Sequence, residues 1–386
     1  MRGVANARKW HEGPVRILHA LYGMNRGGAE TWLMHVLRHI DRDRFRMDFL
    51  VHTTQPGGYD DEIRALGSKV IPCPHRPAPW AYAARFKRIL RQHGPYDIVH
   101  AHSAHFSGYM LRLAHQAGVP VRMAHSHNDT AIPDRNARTR SRLCLRVMNW
   151  WIRRHATVGL AASGKAAAAL FGPDWQADPR WRILHYGIDP APFGEAVSSV
   201  EVRAELGIPA NAFVIGHVGR FDEQKNHAFL VDIFAEVARQ EPQARLLLVG
   251  GGALRPSIEE KAERLRMADR VVFAGVREDV PRLMRGAMDV FVFPSLYEGL
   301  PIAGIEAQAA GLPFVLSDVI TEEMDVVTPL LRRVSLSQPA RAWAEAVRAA
   351  RLGGPQISHA EALLAVESSS LNISTSVANL EALYDE

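Results

Sequence analysis

The chain has 386 residues, 47% of them apolar and 23% charged, with a formal net charge of +5. These values exclude a disordered, collagenous or coiled-coil chain and leave apolar material for two or three domains. No stretch reaches the roughly 18–20 uninterrupted apolar residues of a membrane-spanning helix, and two cysteines, Cys73 and Cys144, exclude a disulfide scaffold or a cysteine-rich metal site.

In chain order, residues 1–13 read as a loose, mildly basic, flexible arm without an apolar signal core, so a cytoplasmic location is expected. Short apolar runs at 15–21, 47–51, 97–101, 121–124 and 157–162 read as strands, several too apolar for a half-exposed sheet. Amphipathic stretches at 29–40, 80–92 and 106–117 separate them, and this alternation predicts a parallel sheet covered on both faces. A stretch at 187–200, with Pro190, Pro192 and a run of small residues, reads as a linker. The pattern then restarts, with strands at 213–218, 245–249, 271–273, 290–293, 314–316 and 330–334. Helices are expected at 226–240, 256–267, 301–310 and 339–350, with a last one near 376–384. The expected organisation is α/β, with domains at 14–192 and 200–368 and a C-terminal helical segment at 369–386. Each half is a doubly wound, Rossmann-like parallel sheet, and ligands of such sheets bind beyond the carboxyl ends of the strands. A cleft between the halves is the expected active site.

The net charge conceals an asymmetry. Residues 1–190 carry 28 basic against 14 acidic side chains, and residues 191–386 carry 18 against 27. The first half, at +14, is expected to face something anionic.

The sharpest motif is Ser295-Leu-Tyr-Glu298-Gly299-Leu300-Pro301-Ile-Ala-Gly-Ile-Glu306. A strand ends at Pro294, and Pro301 suits the first turn of a helix, so Glu298 sits at the strand end and Glu306 one to two turns deeper. Backbone amides of Gly299 and Leu300 at the helix start suit an anion. The parts fit a nucleotide-sugar, although a capped helix with two incidental glutamates has the same pattern. A second motif, Gly219-Arg220-Phe-Asp-Glu-Gln-Lys225-Asn226, follows another strand. Its two cations could grip a diphosphate, Arg as a fork and Lys as a point charge. Gly27-Gly28 follows the first strand, in a loop that also carries Asn25, and paired glycines let backbone approach a phosphate. The D-x-D string Asp41-Arg-Asp43 lies at the wrong end of the sheet for a metal site and reads as a solvated turn, and no compact metal-ligand cluster is visible along the chain. The Gly250-Gly251-Gly252 run mimics a dinucleotide loop, but the G-x-G-x-x-G spacing fails at Arg255.

Gly27-Gly28, Arg220…Lys225 and Glu298-x7-Glu306 together resemble the retaining glycosyltransferases of family 4, which have the GT-B fold. The runs from Glu298 to Glu323 and around His125-Ser126-His127-Asn128 look like enzymes that assemble capsular and exopolysaccharides. The resemblance runs from about Val15 to Tyr384, and one departure is Ala303-Gly304-Ile305, where bulkier aliphatics are usual and a packing change is expected. It implies that the second domain binds the nucleotide-sugar, a UDP-sugar by expectation, and the first the acceptor, with the C-terminal helix packing back on the first. Arg220 and Lys225 would bind the diphosphate, Glu306 the ribose, and Glu298, with the Gly299 and Leu300 amides, the transferred sugar. The backbone near Val276 and Arg277 would recognise the base, and Gly27 and Gly28 would close over the diphosphate from the opposite domain. His125 would lie beside sugar and acceptor; Asn25, His102, His127 and Asn128 are acceptor-side candidates, and His100 is ranked with His102 as a cleft-wall residue. No metal or other cofactor is expected. The resemblance leaves open a GT-B sugar-nucleotide epimerase and a non-catalytic sugar-nucleotide-binding subunit.

The basic half offers a second partner. One stretch runs from Trp80 to Gln92; another, from Arg135 to Arg154, interleaves arginines with Leu143, Val147 and Trp150-Trp151. Basic amphipathic helices with aromatics suit an anionic membrane, where a lipid-linked saccharide acceptor would lie. A core-facing helix with a solvated arginine face is the plainer reading, and nucleic acid is not expected because no module for it is visible.

Overall fold

A computed structural model describes residues 13–74, 78–130, 139–353 and 357–386. The arm at 1–12 and the start of the basic stretch expected from Arg135, residues 135–138, lie outside the described residues. The chain divides into two compact units: residues 1–187 with 373–386, and residues 188–372.

The first unit is built on seven parallel strands: β1 Val15–Leu21, β2 Phe45–Val51, β3 Val70–Pro72, β4 Ile98–Ala101, β5 Val121–Ser126, β6 Val158–Ala161 and β7 Trp181–Ile183. Their order is β3-β2-β1-β4-β5-β6-β7, so the direction of winding reverses between β1 and β4. Strands buried on both faces explain the unbroken apolar runs of β1 and β4. One layer of the core packs Tyr82, Phe86, Met110 and Leu113 from the helices onto Val99, Ala124 and Trp181 of the sheet. The last helix, Ile373–Asp385, belongs to this unit, and buries Ile373, Ser376, Val377, Leu380 and Tyr384 at helical spacing. Trp32 Nε1 donates to Ser376 Oγ at 3.1 Å, and Arg44 pairs with Glu381 and Asp385.

The second unit repeats the plan with six parallel strands: β8 Phe213–Val218, β9 Ala244–Val249, β10 Val271–Gly275, β11 Val290–Phe293, β12 Phe314–Ser317 and β13 Leu331–Val334. Their order is β10-β9-β8-β11-β12-β13, with the reversal between β8 and β11. The helix His227–Gln240 places Leu230, Val231, Phe234, Val237 and Ala238 on one buried face, against a core that includes Trp343. The stretch expected as a linker is ordered within this unit: Ala191–Gly194 and Ser199–Glu205 are helices, and Ile188 bridges Asn372.

Candidate functional site

In the second unit the site grows from the two strands that flank the reversal. The loop after β8 carries Arg220, Gln224 and Lys225; the loop after β11 carries Ser295 to Leu300. A reversal of winding leaves a crevice at the carboxyl ends of its two strands, and here the side chains of both loops meet. Lys225 Nζ lies 2.6 Å from Glu298 Oε1 and 4.6 Å above the Phe293 ring. Both partners are largely buried, with side-chain exposures of 15% and 6%. Gln224, which the sequence reading passed over, donates Nε2 to Glu298 Oε2 and to Tyr297 O, each at 2.9 Å. Both oxygens of Glu298 are thus fixed from the neighbouring loop. The only sequence signal for Gln224 is its position beside Lys225.

Asn226 locks the turn into the helix. It has a left-handed backbone, with φ of 56°, a region that asparagine tolerates better than most residues, and its Nδ2 donates to Pro294 O at 3.1 Å. Arg220, by contrast, is exposed and only loosely paired with Asp222 at 3.4 Å. Among the described residues, no acceptor takes the amides of Gly299 and Leu300, although both residues are buried. The following helix begins at Ile302, with Pro301 as its N-cap residue, so these amides precede the helix rather than open it. Glu306 lies on that helix, and burial with no cation beside it pushes its carboxyl up to about 7. Gly304, the departure noted in the motif, packs closely against Met324: a Cβ there would sit 3.0 Å from the Met324 methyl. Small residues here admit the methionine.

The loops after β9 and β10 complete this edge. Gly219 N donates to Val249 O and Phe221 N to Gly251 O, both at 3.0 Å. A Cβ on Gly250 would sit 2.0 Å from Gly219 O, and one on Gly252 2.6 Å from Phe221 O, at φ of +138° and +156°. The triple glycine is therefore explained by loop against loop, beneath the segment that bears Arg220. Val276 is exposed next to Gly251, while the Arg277 guanidinium is held by Asp279 and Glu205. This leaves the Val276 side chain and backbone as the open part of that pair.

In the first unit, Gly27 caps the helix Gly28–His39 after β1, with the Glu30 carboxylate folded against it, and the Asn25 side chain accepts from Gly58 N. Asp41 Oδ1 accepts from Asp43 N and Arg44 N in an exposed turn, which makes the D-x-D string a structural turn. The histidines assemble further than the sequence suggested. His19 on β1 pairs in register with His100 on β4, and the i, i+2 spacings of His100/His102 and His125/His127 put all five on one face of the sheet. His102 links His19 at 2.9 Å and His127 at 2.7 Å; His100 links His125 at 3.1 Å and the Tyr384 hydroxyl at 2.9 Å. His127 also meets the Tyr186 hydroxyl, and Asn128 closes a local turn onto Asp129 N. Burial drives all five imidazoles to the neutral form, His19 and His127 down to about 3. His125 is fully buried, beneath the more open His102 and His127.

Two parallel-sheet, Rossmann-like α/β units are the architecture of the GT-B class of glycosyltransferase. The family comparisons agree. Residues 27–187 match the glycosyl transferase 4-like domain, and residues 212–350 match glycosyl transferases group 1. The Bacillus subtilis (strain 168) protein EpsF, named as a glycosyltransferase, is 41% identical over 88% of this chain and 89% of its own length. The chain belongs to this glycosyltransferase family. The Escherichia coli UDP-Gal:alpha-D-GlcNAc-diphosphoundecaprenol alpha-1,3-galactosyltransferase is 29% identical over 58% of each chain. Among solved structures, Anabaena HepE in complex with UDP-glucose superposes with a TM-score of 0.79 at 22% identity, over 96% of this chain and all of that one.

Proposed function

We propose that the protein transfers a sugar, with retention of configuration, from a UDP-sugar to a lipid-linked saccharide acceptor in surface polysaccharide assembly. The observation that carries the donor side is the buried Lys225–Glu298 pair at the β8/β11 reversal, with Gln224 fixing the carboxylate. Lys225 has three donor hydrogens, so it can keep Glu298 and still take a phosphate oxygen. The exposed Arg220 is free to swing onto the diphosphate and form a fork. Together they would stabilise the negative charge that grows on the departing nucleotide, the largest kind of catalytic term such a site can supply. Glu298 would accept hydroxyls of the transferred sugar, the free Gly299 and Leu300 amides its remaining oxygens or the phosphate, and Glu306 the ribose hydroxyls. Val276 and the backbone at Arg277 would face the base. On the first unit, Gly27, Gly28 and His125, with Asn25, His102, His127 and Asn128, would serve the acceptor. The diphosphate needs no metal ion in this reading, because cations of the chain provide the charge. The HepE complex with UDP-glucose and the galactosyltransferase whose name includes a diphosphoundecaprenol acceptor support the donor and acceptor classes.

Calorimetry with a panel of nucleotide-sugars tests the donor: a UDP-sugar should bind tightest, and binding should fall at least tenfold in Lys225→Ala. Equal affinity of that variant would overturn the site. Epimer formation from a UDP-sugar without acceptor would replace transfer by epimerisation.

We also propose a peripheral position on the cytoplasmic face of an anionic membrane. On the helix Thr139–His155, Leu143, Val147 and Trp150 form an exposed apolar stripe at i, i+4, i+7, flanked by exposed Arg142, Arg146, Arg153 and Arg154. Trp80, 77% exposed, opens the helix Pro79–His93. Tyr109 ties the two helices together, its hydroxyl donating to Pro79 O and its ring lying 5.6 Å from Trp151. Flotation with phosphatidylglycerol vesicles at low salt should carry the protein up, and Trp80→Ser with Trp150→Ser should leave it at the bottom. Wild-type protein that stays at the bottom refutes the membrane position.

A further inference from the structure

We infer that the first unit contains a transition-metal site formed by His102, His125 and His127, which takes Zn2+ through three imidazole nitrogens. One ring nitrogen from each of the three lies within 4.8 Å of the other two, and no carboxylate takes part. A set of neutral nitrogens selects zinc, nickel or copper over magnesium or calcium, which prefer oxygen. The hydrogen bonds settle which atoms face the ion. His102 Nδ1 and His127 Nε2 are 2.7 Å apart, sharing one proton in the metal-free state. His125 Nε2 is buried and, among the described residues, has no partner. Those three nitrogens are the ligand set.

The remaining nitrogen of each ring already has an outer partner. His102 Nε2 meets His19 Nδ1 at 2.9 Å, His125 Nδ1 meets His100 Nε2 at 3.1 Å, and His127 Nδ1 meets the Tyr186 hydroxyl. His100 is held in turn by Tyr384 at 2.9 Å. Zinc histidines are characteristically oriented this way, by a second hydrogen bond on the far side of the ring. Bonds of about 2.0–2.1 Å at tetrahedral angles set nitrogens about 3.3 Å apart, so His102 and His127 separate by about 0.6 Å, while the His125 nitrogen starts within 4.8 Å of both. Zinc takes the place of the shared proton, and the neutral ring that carried it shifts to the tautomer protonated on its outer nitrogen, with no net proton release; three ligands leave a fourth position open. His127 is the partly exposed ligand, whereas His102 is 9% exposed and His125 is not exposed at all, so an ion would enter past His127. The ligands are three of the histidines proposed above for the acceptor side, so a bound zinc would replace their direct contact with an acceptor; the metal-binding test itself does not depend on the sugar-transfer reading.

The test uses the full chain, free of any histidine tag and stripped with chelator, titrated with Zn2+ in competition with a chromogenic chelator. One equivalent should bind with submicromolar affinity, undiminished by millimolar Mg2+. Co2+ in place of Zn2+ should give the intense visible bands of a four-coordinate nitrogen site. His102→Gln and His127→Gln should each weaken binding at least tenfold, with native circular dichroism, while the exposed His39→Gln leaves it unchanged. Lack of a stoichiometric high-affinity site in the wild type overturns the inference, as does a weak six-coordinate Co2+ spectrum. Undiminished affinity in folded His127→Gln overturns it too. The Co2+ spectrum of the wild type decides the matter even if both variants fail to fold.

Discussion

Glu298 is central to the proposed donor site, and its two oxygens are held by two different side chains. Removal of Lys225 leaves a buried carboxylate with Gln224 alone, so Lys225→Ala should lose stability by roughly 3–5 kcal/mol as well as transfer activity. Glu298→Gln with Lys225→Met removes both charges and should recover most of that stability while transfer stays lost; urea denaturation of the three proteins measures it. Glu306 gives a pH dependence. Its folded carboxyl titrates at about 7 against 4.5 when unfolded. Neutral Glu306 therefore favours the folded state fully below the unfolded value, and the advantage is lost as pH rises through about 7. Relative to Glu306→Gln, the wild type should lose stability across that window, seen as a falling urea midpoint. UDP-sugar affinity should change the opposite way, rising as the carboxylate ionises to accept ribose hydroxyls. Flat affinity across pH 7 would remove Glu306 from the donor site. The sequence made Lys225, Glu298 and Glu306 legible because each stands at a fixed offset from a strand end. It hid Gln224, an unremarkable polar residue whose role depends on a loop more than 70 positions away.

Elements were legible in proportion to their length and patterning. The long apolar strands and amphipathic helices fell within a few residues of their expected bounds. The three-residue strands β3 and β7 are too short for any period to register. The helix His359–Glu367 was missed despite a capping box between Ser358 and Glu361, a signal that was present and unread. The histidine face was half legible: two H-x-H repeats at strand ends declare themselves, but their convergence with His19 depends on which strands are neighbours, and winding order is not written in local pattern. The dinucleotide reading of the triple glycine fails on spacing alone, but the reason for the glycines is illegible along the chain, since it is a contact with another loop. Gly250→Ala places a methyl against Gly219 O at a positive φ. It should destabilise the protein by several degrees in Tm and weaken UDP-sugar binding together, because the loop it displaces bears Arg220. Unchanged binding in a destabilised Gly250→Ala would separate the two loops functionally.

At the scale of the whole molecule, the charge asymmetry survives the true division of the chain: the first unit has 28 basic against 16 acidic residues and the second 18 against 25. The acidic unit nevertheless concentrates Lys225 and the exposed Arg220 at one strand edge, so net charge misleads about its ligand. The C-terminal helix carries a further test. Tyr384→Phe removes the partner of His100 Nδ1 and should cost about 1–3 kcal/mol in urea denaturation. Loss of the whole helix strips Trp32, Phe45 and His100 of partners at once, and the first unit should then fail to fold.

That helix also fixes an order of events during synthesis. Residues 188–372 form an uninterrupted unit, complete as soon as Asn372 has left the ribosome. The first unit, though translated earlier, lacks the partners of Trp32 and His100 until Ile373–Asp385 emerges. The N-terminal sheet must therefore wait, incomplete, while the later-made half folds, and its apolar helix Gly28–His39 stays open to chaperones until Ile373–Asp385 has emerged.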